Sequence, residues 1–405
     1  MKWFSIALFS FISGYLTVNY LISSPLDMSV YGALALGCFF IALWLLFLKE
    51  KIARRIAAVV LMIICFISGY LITCTAVLKP KDQKNAFFID PKVAASQGHT
   101  AVIYFTHGEP RTYEGSFEAW LEAIDEMDET GVPFVPKPFR PFFFKKVRDE
   151  YFRVGGSFHN TIHGRMMNRL QEVYRQKVDK NTRFYLSYSD DIPHPDEMAA
   201  KAINEGANKI ILLNVWLTDS DHSDHGREII AALQPEKYGV KLCVTDTLWN
   251  SALMKHMIVN RVNTAIGSES KADVGILLVA HGQPAEWDKI FKKQPEQENI
   301  FRQETKKLLM AEGYKERNIE LAYMEFKQPV IKEAVKNLLK NGVKKILVSP
   351  VNISAESIHS EHEIPSLVAE VGIPPNVSTV HLGAWNDDQY VIDALLEKLK
   401  VCANK

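Results

Sequence analysis

The sequence has no excess of either charge. Lysine plus arginine and aspartate plus glutamate number 47 each, for a formal net charge of zero. A nucleic-acid binder normally carries a basic footprint, so that class is excluded. Cysteine is scarce: Cys38, Cys65, Cys74, Cys243 and Cys402 form no close pair in the chain. Neither a disulfide framework nor a thiolate zinc site is therefore expected, and the cysteine cluster of an iron–sulfur centre is missing. The sequence also lacks a Gly-Lys-Ser/Thr phosphate loop, so no nucleotide is expected as partner or cofactor.

Long apolar runs are present, and only at the start. Residues 3–22, 28–48 and 56–78 carry no charged side chain. Each is about twenty residues long, enough to cross a bilayer as a helix at roughly 1.5 Å per residue. No small-residue cleavage site follows the first, so three retained spans are expected. The string FISGYL occurs at 11–16 and again at 66–71. It is read first as a product of apolar composition, with a common packing face around Gly14 and Gly69 as the alternative. The connector KEKIARR is basic and SSPLD has no cation, which points to an inside N-terminus and an extracytoplasmic remainder. Lys79, Lys81 and Lys84 argue the other way.

After a polar linker at 80–99, strand-length apolar runs alternate with helical periodicity. The runs fall at 101–106, 183–188, 209–217 and 240–245, then again at 274–280, 319–324, 344–352 and 377–382. Helical periodicity covers 114–129, 162–178, 297–312 and 330–340. The expected fold class is α/β, with parallel sheets covered by helices on both faces. The two cycles are copies: residues 192–217 parallel 328–353, with Pro193 against Pro329, Gly206 against Gly342 and Lys209 against Lys345. His107-Gly-Glu-Pro110 parallels His281-Gly-Gln-Pro284, and His222-Ser-Asp-His225 parallels His359-Ser-Glu-His362. Two similar lobes, 100–267 and 268–405, are expected to follow a membrane region at 1–79.

The first copy carries an inserted stretch, 132–160, rich in proline and phenylalanine. Its prolines argue against a regular buried helix. Three readings stay open. It can be a lip over an apolar ligand, with Lys145, Lys146, Arg148 or Arg153 meeting ligand carboxylates. It can be an irregular loop packed on its own phenylalanines, or a membrane-surface contact through 142–144.

Ligands of open α/β sheets bind at the carboxyl ends of the strands. His281 and His359 each follow an expected strand end, and Glu361 and Glu363 lie within a few residues of His359. Imidazoles and carboxylates at one hollow suit a divalent transition metal. His107, His222 and His225 are candidates for a second site, although His107 alone is read first as a polar strand cap. Glu325, at the end of the 319–324 run, is a further acid candidate. Trp216, Trp249 and Trp287 are read as core or rim residues.

On these residues the chain resembles the ferrochelatase superfamily, the class II tetrapyrrole chelatases that include sirohydrochlorin cobaltochelatases. VAHGQP at 279–284 resembles the block carrying the family's metal-site histidine, which points to His281. Residues 151–170 resemble the family's tyrosine, paired-glycine and following-helix region, with Tyr151, Gly155 and Gly156. HSEHEIP at 359–365 resembles the cobaltochelatase pattern, which implies His359 as ligand and Glu363 as acid. The ferrochelatase spacing selects Glu361 instead. The resemblance covers roughly residues 100–399 and leaves the apolar runs outside. It implies insertion of ferrous iron or cobalt, as substrate and with no required cofactor, into a tetrapyrrole bound at Tyr151, Gly155 and Gly156, with Phe142 and Phe143 of the inserted stretch as further substrate-binding candidates on the lip reading. The alternative is a non-catalytic metal- or haem-binding receptor or chaperone on the same scaffold.

Overall fold

The computed structural model describes residues 1–47, 51–79, 88–90, 98–129 and 135–404. Most of the linker expected at 80–99, and residues 130–134 at the start of the inserted stretch, lie outside the described residues. The chain divides into two compact units. The first comprises residues 1–83 and 112–156, the second 84–111 and 157–405. The lobe expected as one run over 100–267 is thus interrupted, because 112–156 belongs with the apolar helices.

Three helices open the first unit: α1 (Lys2–Ile22), α2 (Pro25–Phe47) and α3 (Ile52–Val77). Each is long and apolar enough to cross a membrane. The repeated FISGYL proves to be a packing face rather than a product of composition. A Cβ on Gly14 would lie 2.2 Å from the Phe66 carbonyl oxygen, and one on Gly69 would lie 2.1 Å from that of Phe11. The two copies therefore press backbone to backbone, as small residues allow between apolar helices. Gly69→Leu is expected to force α1 from α3 and cost about 3 kcal/mol. A thermal-unfolding midpoint in detergent equal to that of the wild type would contradict this.

Among its described residues the inserted stretch is α-helical over 140–154, although its prolines argue against a regular buried helix. Helix α5 (Arg140–Val154) occupies its middle, and α4 (Tyr113–Glu129) precedes it in sequence. Its prolines cost no helical hydrogen bond: Pro138 lies in a short 3-10 turn and Pro141 in the first turn of α5, where an amide N–H has no partner to lose. Gly155 ends α5 with φ 83°, and its N–H and that of Gly156 donate to the Tyr151 carbonyl at 2.9 and 3.0 Å. This is the left-handed helix ending that glycine favours.

The α4–α5 pair caps α1. Arg148 is buried, and its Nη1 donates to the carbonyls of Tyr20, Leu21 and Ser23 at 3.1, 3.2 and 2.9 Å. The Tyr113 hydroxyl donates to Ile22 O at 2.5 Å. These are carbonyls that a helix end leaves without partners. Leu121, Ile124 and Phe144 pack with Val18, Leu21, Cys74 and Leu78. Arg148, expected to meet a ligand carboxylate, is thus spent on the helix end. Lys145 and Lys146 pair with Asp149 and Glu150 at 2.5 and 3.5 Å.

The second unit holds two four-stranded parallel sheets. The first contains β1 (His99–Thr106), β2 (Arg183–Tyr188), β3 (Ala207–Asn214) and β4 (Lys241–Val244), in the order β2-β1-β3-β4. The second contains β5 (Val274–Ala280), β6 (Ile319–Tyr323), β7 (Lys345–Pro350) and β8 (Ser378–His381), in the matching order β6-β5-β7-β8. Helices α6 (His159–Lys177), α7 (Pro195–Asn204), α8 (Asp221–Ala232) and α9 (Ala252–Ala265) accompany the first sheet in sequence. With the second run α10 (Trp287–Ile290), α11 (Lys293–Ala311), α12 (Ile331–Lys340), α13 (Ile364–Ala369) and α14 (Gln389–Ala403). Nearly every strand residue is buried in β1, β3, β5 and β7, which explains their continuous apolar runs.

The lobes are copies that exchange their last helices. Lys209, in β3, donates from Nζ to the carbonyls of Cys402 and Ala403 at the end of α14, at 2.6 and 3.3 Å. Its repeat partner Lys345 does the same at the end of α9, to Ala265 and Ile266 at 3.3 and 3.0 Å. A cation there satisfies free carbonyls and opposes the helix dipole. One hydrophobic core accordingly runs through both lobes, with Val102 and Ile211 alongside Ile276, Leu347 and Leu395. The expectation of no disulfide is corrected. Cys243 of β4 and Cys402 of α14 are bonded across 159 residues of sequence, a pairing that exists only because α14 returns to the first lobe.

Candidate metal centre

In each lobe the central strand ends in a histidine and a glycine. Gly108 and Gly282 have φ of 91° and 85°, the left-handed region that glycine supplies. At Gly282 a Cβ would also lie 2.3 Å from the Glu325 carbonyl oxygen. The turn orients the ring before it: Nδ1 of His107 donates to Gly108 O at 2.8 Å, and Nδ1 of His281 to Gly282 O at 2.9 Å. That bond leaves Nε2 of each ring to other partners. A backbone bond then places an acid beside each histidine. Asp190 N–H donates to His107 O at 2.8 Å, and Glu325 N–H donates to His281 O at 3.1 Å. The third contributor follows the next strand: His222 on α8, and His359 in a π-helical turn at His359–Glu363 that leads into α13.

The first-lobe set is the tighter. Donor atoms of His107, Asp190 and His222 all lie within 4.8 Å of one another, and among the described residues no other such group of three meets that distance. His107 Nε2 is 3.1 Å from Asp190 Oδ2, and His222 Nδ1 is 3.9 Å from Oδ1. Trp216, expected only in the core or rim, stacks on His222 with ring centroids 5.4 Å apart. Burial holds His222 below its ordinary value, against the pull of Asp190. His107 is therefore no isolated strand cap. His225 is exposed and outside the group; Asp190 stands in the place expected for it.

In the second lobe the His281 and His359 rings meet edge to face at 5.4 Å. Their environments push them apart. Burial, then the neighbouring His359, lowers His281 to about 4. Burial also works to lower His359, but the Glu363 carboxylate, hydrogen-bonded to Nδ1, outweighs it with help from Glu109 and Glu325, raising His359 to about 9. Of the two candidate acids, Glu363 meets His359. Glu361 is exposed and accepts the Ser360 hydroxyl at 3.0 Å.

Side chains from the first lobe reach the His359 segment. Glu109 Oε1 accepts the Ile358 N–H at 3.0 Å, and His163 Nε2 lies 3.0 Å from Ser354 Oγ. The two carboxyl edges therefore face each other, with His159 and His163 buried in the wall between them. Burial and nearby imidazoles push His159 down to about 3 and His163 well below its ordinary value. Glu298 is also buried; burial raises its carboxyl, opposed by Arg302, Lys327 and the His281 backbone N–H. Sequence reasoning missed Asp190, His159, His163, Glu109 and Glu298. For Asp190 the repeat came within one residue: the alignment of 192–217 with 328–353 sets Glu325 opposite Ser189, and the matching backbone bonds to His107 and His281 show that Asp190 is its counterpart. Phe142, Phe143, Tyr151, Gly155 and Gly156 belong to the first unit. There Phe142 is exposed, Phe143 packs beside Phe144, and Tyr151 is buried.

Imidazole–carboxylate sets thus lie at the carboxyl edges of both duplicated parallel sheets of an α/β protein. The ferrochelatase family model matches residues 99–401, and the chain belongs to that family, whose members act on tetrapyrroles. A ferrochelatase of Gloeothece citriformis is 22% identical over 326 residues, covering 74% of this chain and 81% of its own. A sirohydrochlorin cobaltochelatase of Methanocaldococcus jannaschii is 43% identical over 63 residues, 15% of this chain and 43% of that protein, so the match spans under half of its length. The solved structure of SirB from Bacillus subtilis with Fe3+ aligns over 75% of this chain and 96% of its own, with a TM-score of 0.46 and 15% identity. The three apolar helices lie outside the family match.

Proposed function

We propose that the chain inserts a divalent ion, ferrous iron or cobalt, into a tetrapyrrole while α1–α3 anchor it in a membrane. The observation that carries this reading is the His281–His359–Glu363 set, two imidazoles of opposite protonation tendency at one strand edge. His281 is neutral at pH 7, so its Nε2 lone pair can take an ion without losing a proton. His359 rests as an imidazolium whose Nδ1–H is held by Glu363; to take the ion it releases the other proton, from Nε2, to solvent. As the ion passes to the ring, the vacated His359 Nε2 accepts a pyrrole proton and hands it to solvent, then accepts the second, while Nδ1–H stays on Glu363. Glu361, exposed two residues earlier, is the outer acceptor. The first-lobe set, His107, Asp190 and His222, holds a second ion.

The test is to mix full-length protein with protoporphyrin or sirohydrochlorin and each ion, following the ring's absorption. Metallation faster than the protein-free control is expected for at least one pair. Tight one-to-one binding without turnover would favour the receptor reading instead.

A pH dependence follows from His359. Its raised value means that a proton competes with the ion below about pH 9. Affinity of the second-lobe site for Co2+ is therefore expected to rise with pH, up to roughly tenfold per unit, and to level off near pH 9. Calorimetric titration of the His107→Ala/His222→Ala variant checks this; a flat profile from pH 6 to 9 would contradict it.

We also place the second unit outside the cytoplasm. The basic connector between the second and third apolar runs supports an inside N-terminus. The Cys243–Cys402 bond fits an oxidising compartment. Maleimide labelling of freshly lysed cells without reductant should spare both cysteines, and their free reaction would remove this support.

A further inference from the structure

Six imidazoles line the facing edges: His107, His159, His163, His222, His281 and His359. Their ring nitrogens sort them. Nδ1 of His107 and of His281 donates to a glycine carbonyl, Nδ1 of His359 donates to Glu363, and Nδ1 of His222 meets Ser189 Oγ at 3.1 Å. In His107, His281 and His359 an oxygen thus fixes Nδ1 and leaves Nε2 for a ligand, as metal-binding histidines require, whereas His222 also turns Nδ1 toward Asp190 Oδ1, 3.9 Å away. His163 breaks the pattern. Its Nδ1 is 2.9 Å from the Tyr104 hydroxyl, and its Nε2 is 3.0 Å from Ser354 Oγ and 3.2 Å from Thr106 Oγ1. No nitrogen of His163 is left for an ion.

His159 follows the ligand pattern. Its Nδ1 is 3.2 Å from Asn160 Oδ1. That oxygen already accepts the Glu109 N–H at 2.8 Å, while the amide nitrogen of Asn160 donates to Asp191 at 2.6 Å. The oxygen is therefore fixed as an acceptor, so the hydrogen is on Nδ1 of His159 and the lone pair on Nε2. The ring is 6.1 Å from that of His107 and 4.5 Å from that of His163. It also lies within electrostatic reach of Asp190 in the first lobe and His359 in the second.

We propose that His159 is a further metal ligand, a stepping position through which an ion held by His107, Asp190 and His222 reaches His281 and His359. The inference rests on the two-site metal reading given above. An ion handed between fixed ligands never has to regain its full water shell, so the step is expected to depend on each imidazole along the way.

The experiment uses the full chain in nanodiscs and Co2+ alone as the probe, with uptake followed by stopped-flow visible absorption. Wild-type protein should take up two ions in two phases. His159→Ala should leave the first phase and the end point unchanged and slow the second 10- to 100-fold. Free imidazole should restore the rate, which it could not do for a merely structural loss. His159→Gln, which keeps a polar side chain, should show the same defect, and circular dichroism checks that both variants fold. Uptake of a single ion, an unchanged second phase, equal slowing of both phases, or no rescue by imidazole would each overturn the proposal. Ring metallation is not read here. A chain that loads Co2+ in two His159-dependent steps yet metallates no ring would retire the chelatase reading alone.

Discussion

Replacing His281 and His359 together with alanine is expected to lower ring metallation by roughly a thousandfold or more. Removing only an outer partner of a metal ligand typically costs 10- to 100-fold, and this change removes the ligands themselves. Glu363→Gln keeps a hydrogen-bond acceptor for His359 but not the charge, and should lose the lesser amount. Stability provides an independent readout. His281, lowered to about 4, contributes stability that is present above the unfolded value near pH 6.5 and is lost as pH falls toward 4. His359, raised to about 9, contributes stability that is present below about pH 6.5 and is lost as pH rises through 9. His281→Ala should therefore be less sensitive to acid than the wild type, whereas the deficit of His359→Ala should fade toward pH 9. Urea midpoints from pH 4 to 10 check both signs. Full metallation by the double variant would remove the second-lobe set from the chemistry.

Gly282→Val should abolish metallation and cost about 3–5 kcal/mol of stability. Two causes add. A β-branched residue is strained at φ 85°, and its Cβ would fall 2.3 Å from the Glu325 carbonyl oxygen. Relief of that contact would move Glu325 or the His281 turn, so stability and site should fail together. Gly342→Ala separates the two causes: its φ is 77°, but nothing lies within 4 Å of the added carbon. About 1 kcal/mol is expected there, with activity intact. Equal losses in the two variants would show that strain alone, and not close approach, governs position 282.

Much of the site was legible because duplication writes the same message twice. HGEP and HGQP, and the two spaced histidine pairs, mark equivalent strand ends, and the eight apolar runs became the eight strands. What stayed hidden depends on contacts distant in sequence. Cys243 meets Cys402 only through the helix exchange that Lys209 and Lys345 cap. The prolines of the inserted stretch argued against a helix because their positions relative to the helix start could not be read. His159 and His163 gave no motif, since the Asn160 beside His159 is itself oriented by Glu109 and Asp191, and His163 meets Ser354, a residue of the opposite lobe. Arg148 reads as a ligand-seeking cation until the three free carbonyls at the end of α1 are seen beside it.

The most direct test of imidazole-held metal at the facing strand edges is cobalt-edge X-ray absorption on the full chain loaded with Co2+. The predicted spectrum has nitrogen and oxygen neighbours near 2.1 Å, roughly the range of metal–imidazole bonds, with the outer-shell pattern of imidazole rings, and loses most of that pattern when His107, His222, His281 and His359 are replaced. Sulfur neighbours, or an oxygen-only shell unchanged by those replacements, would contradict it.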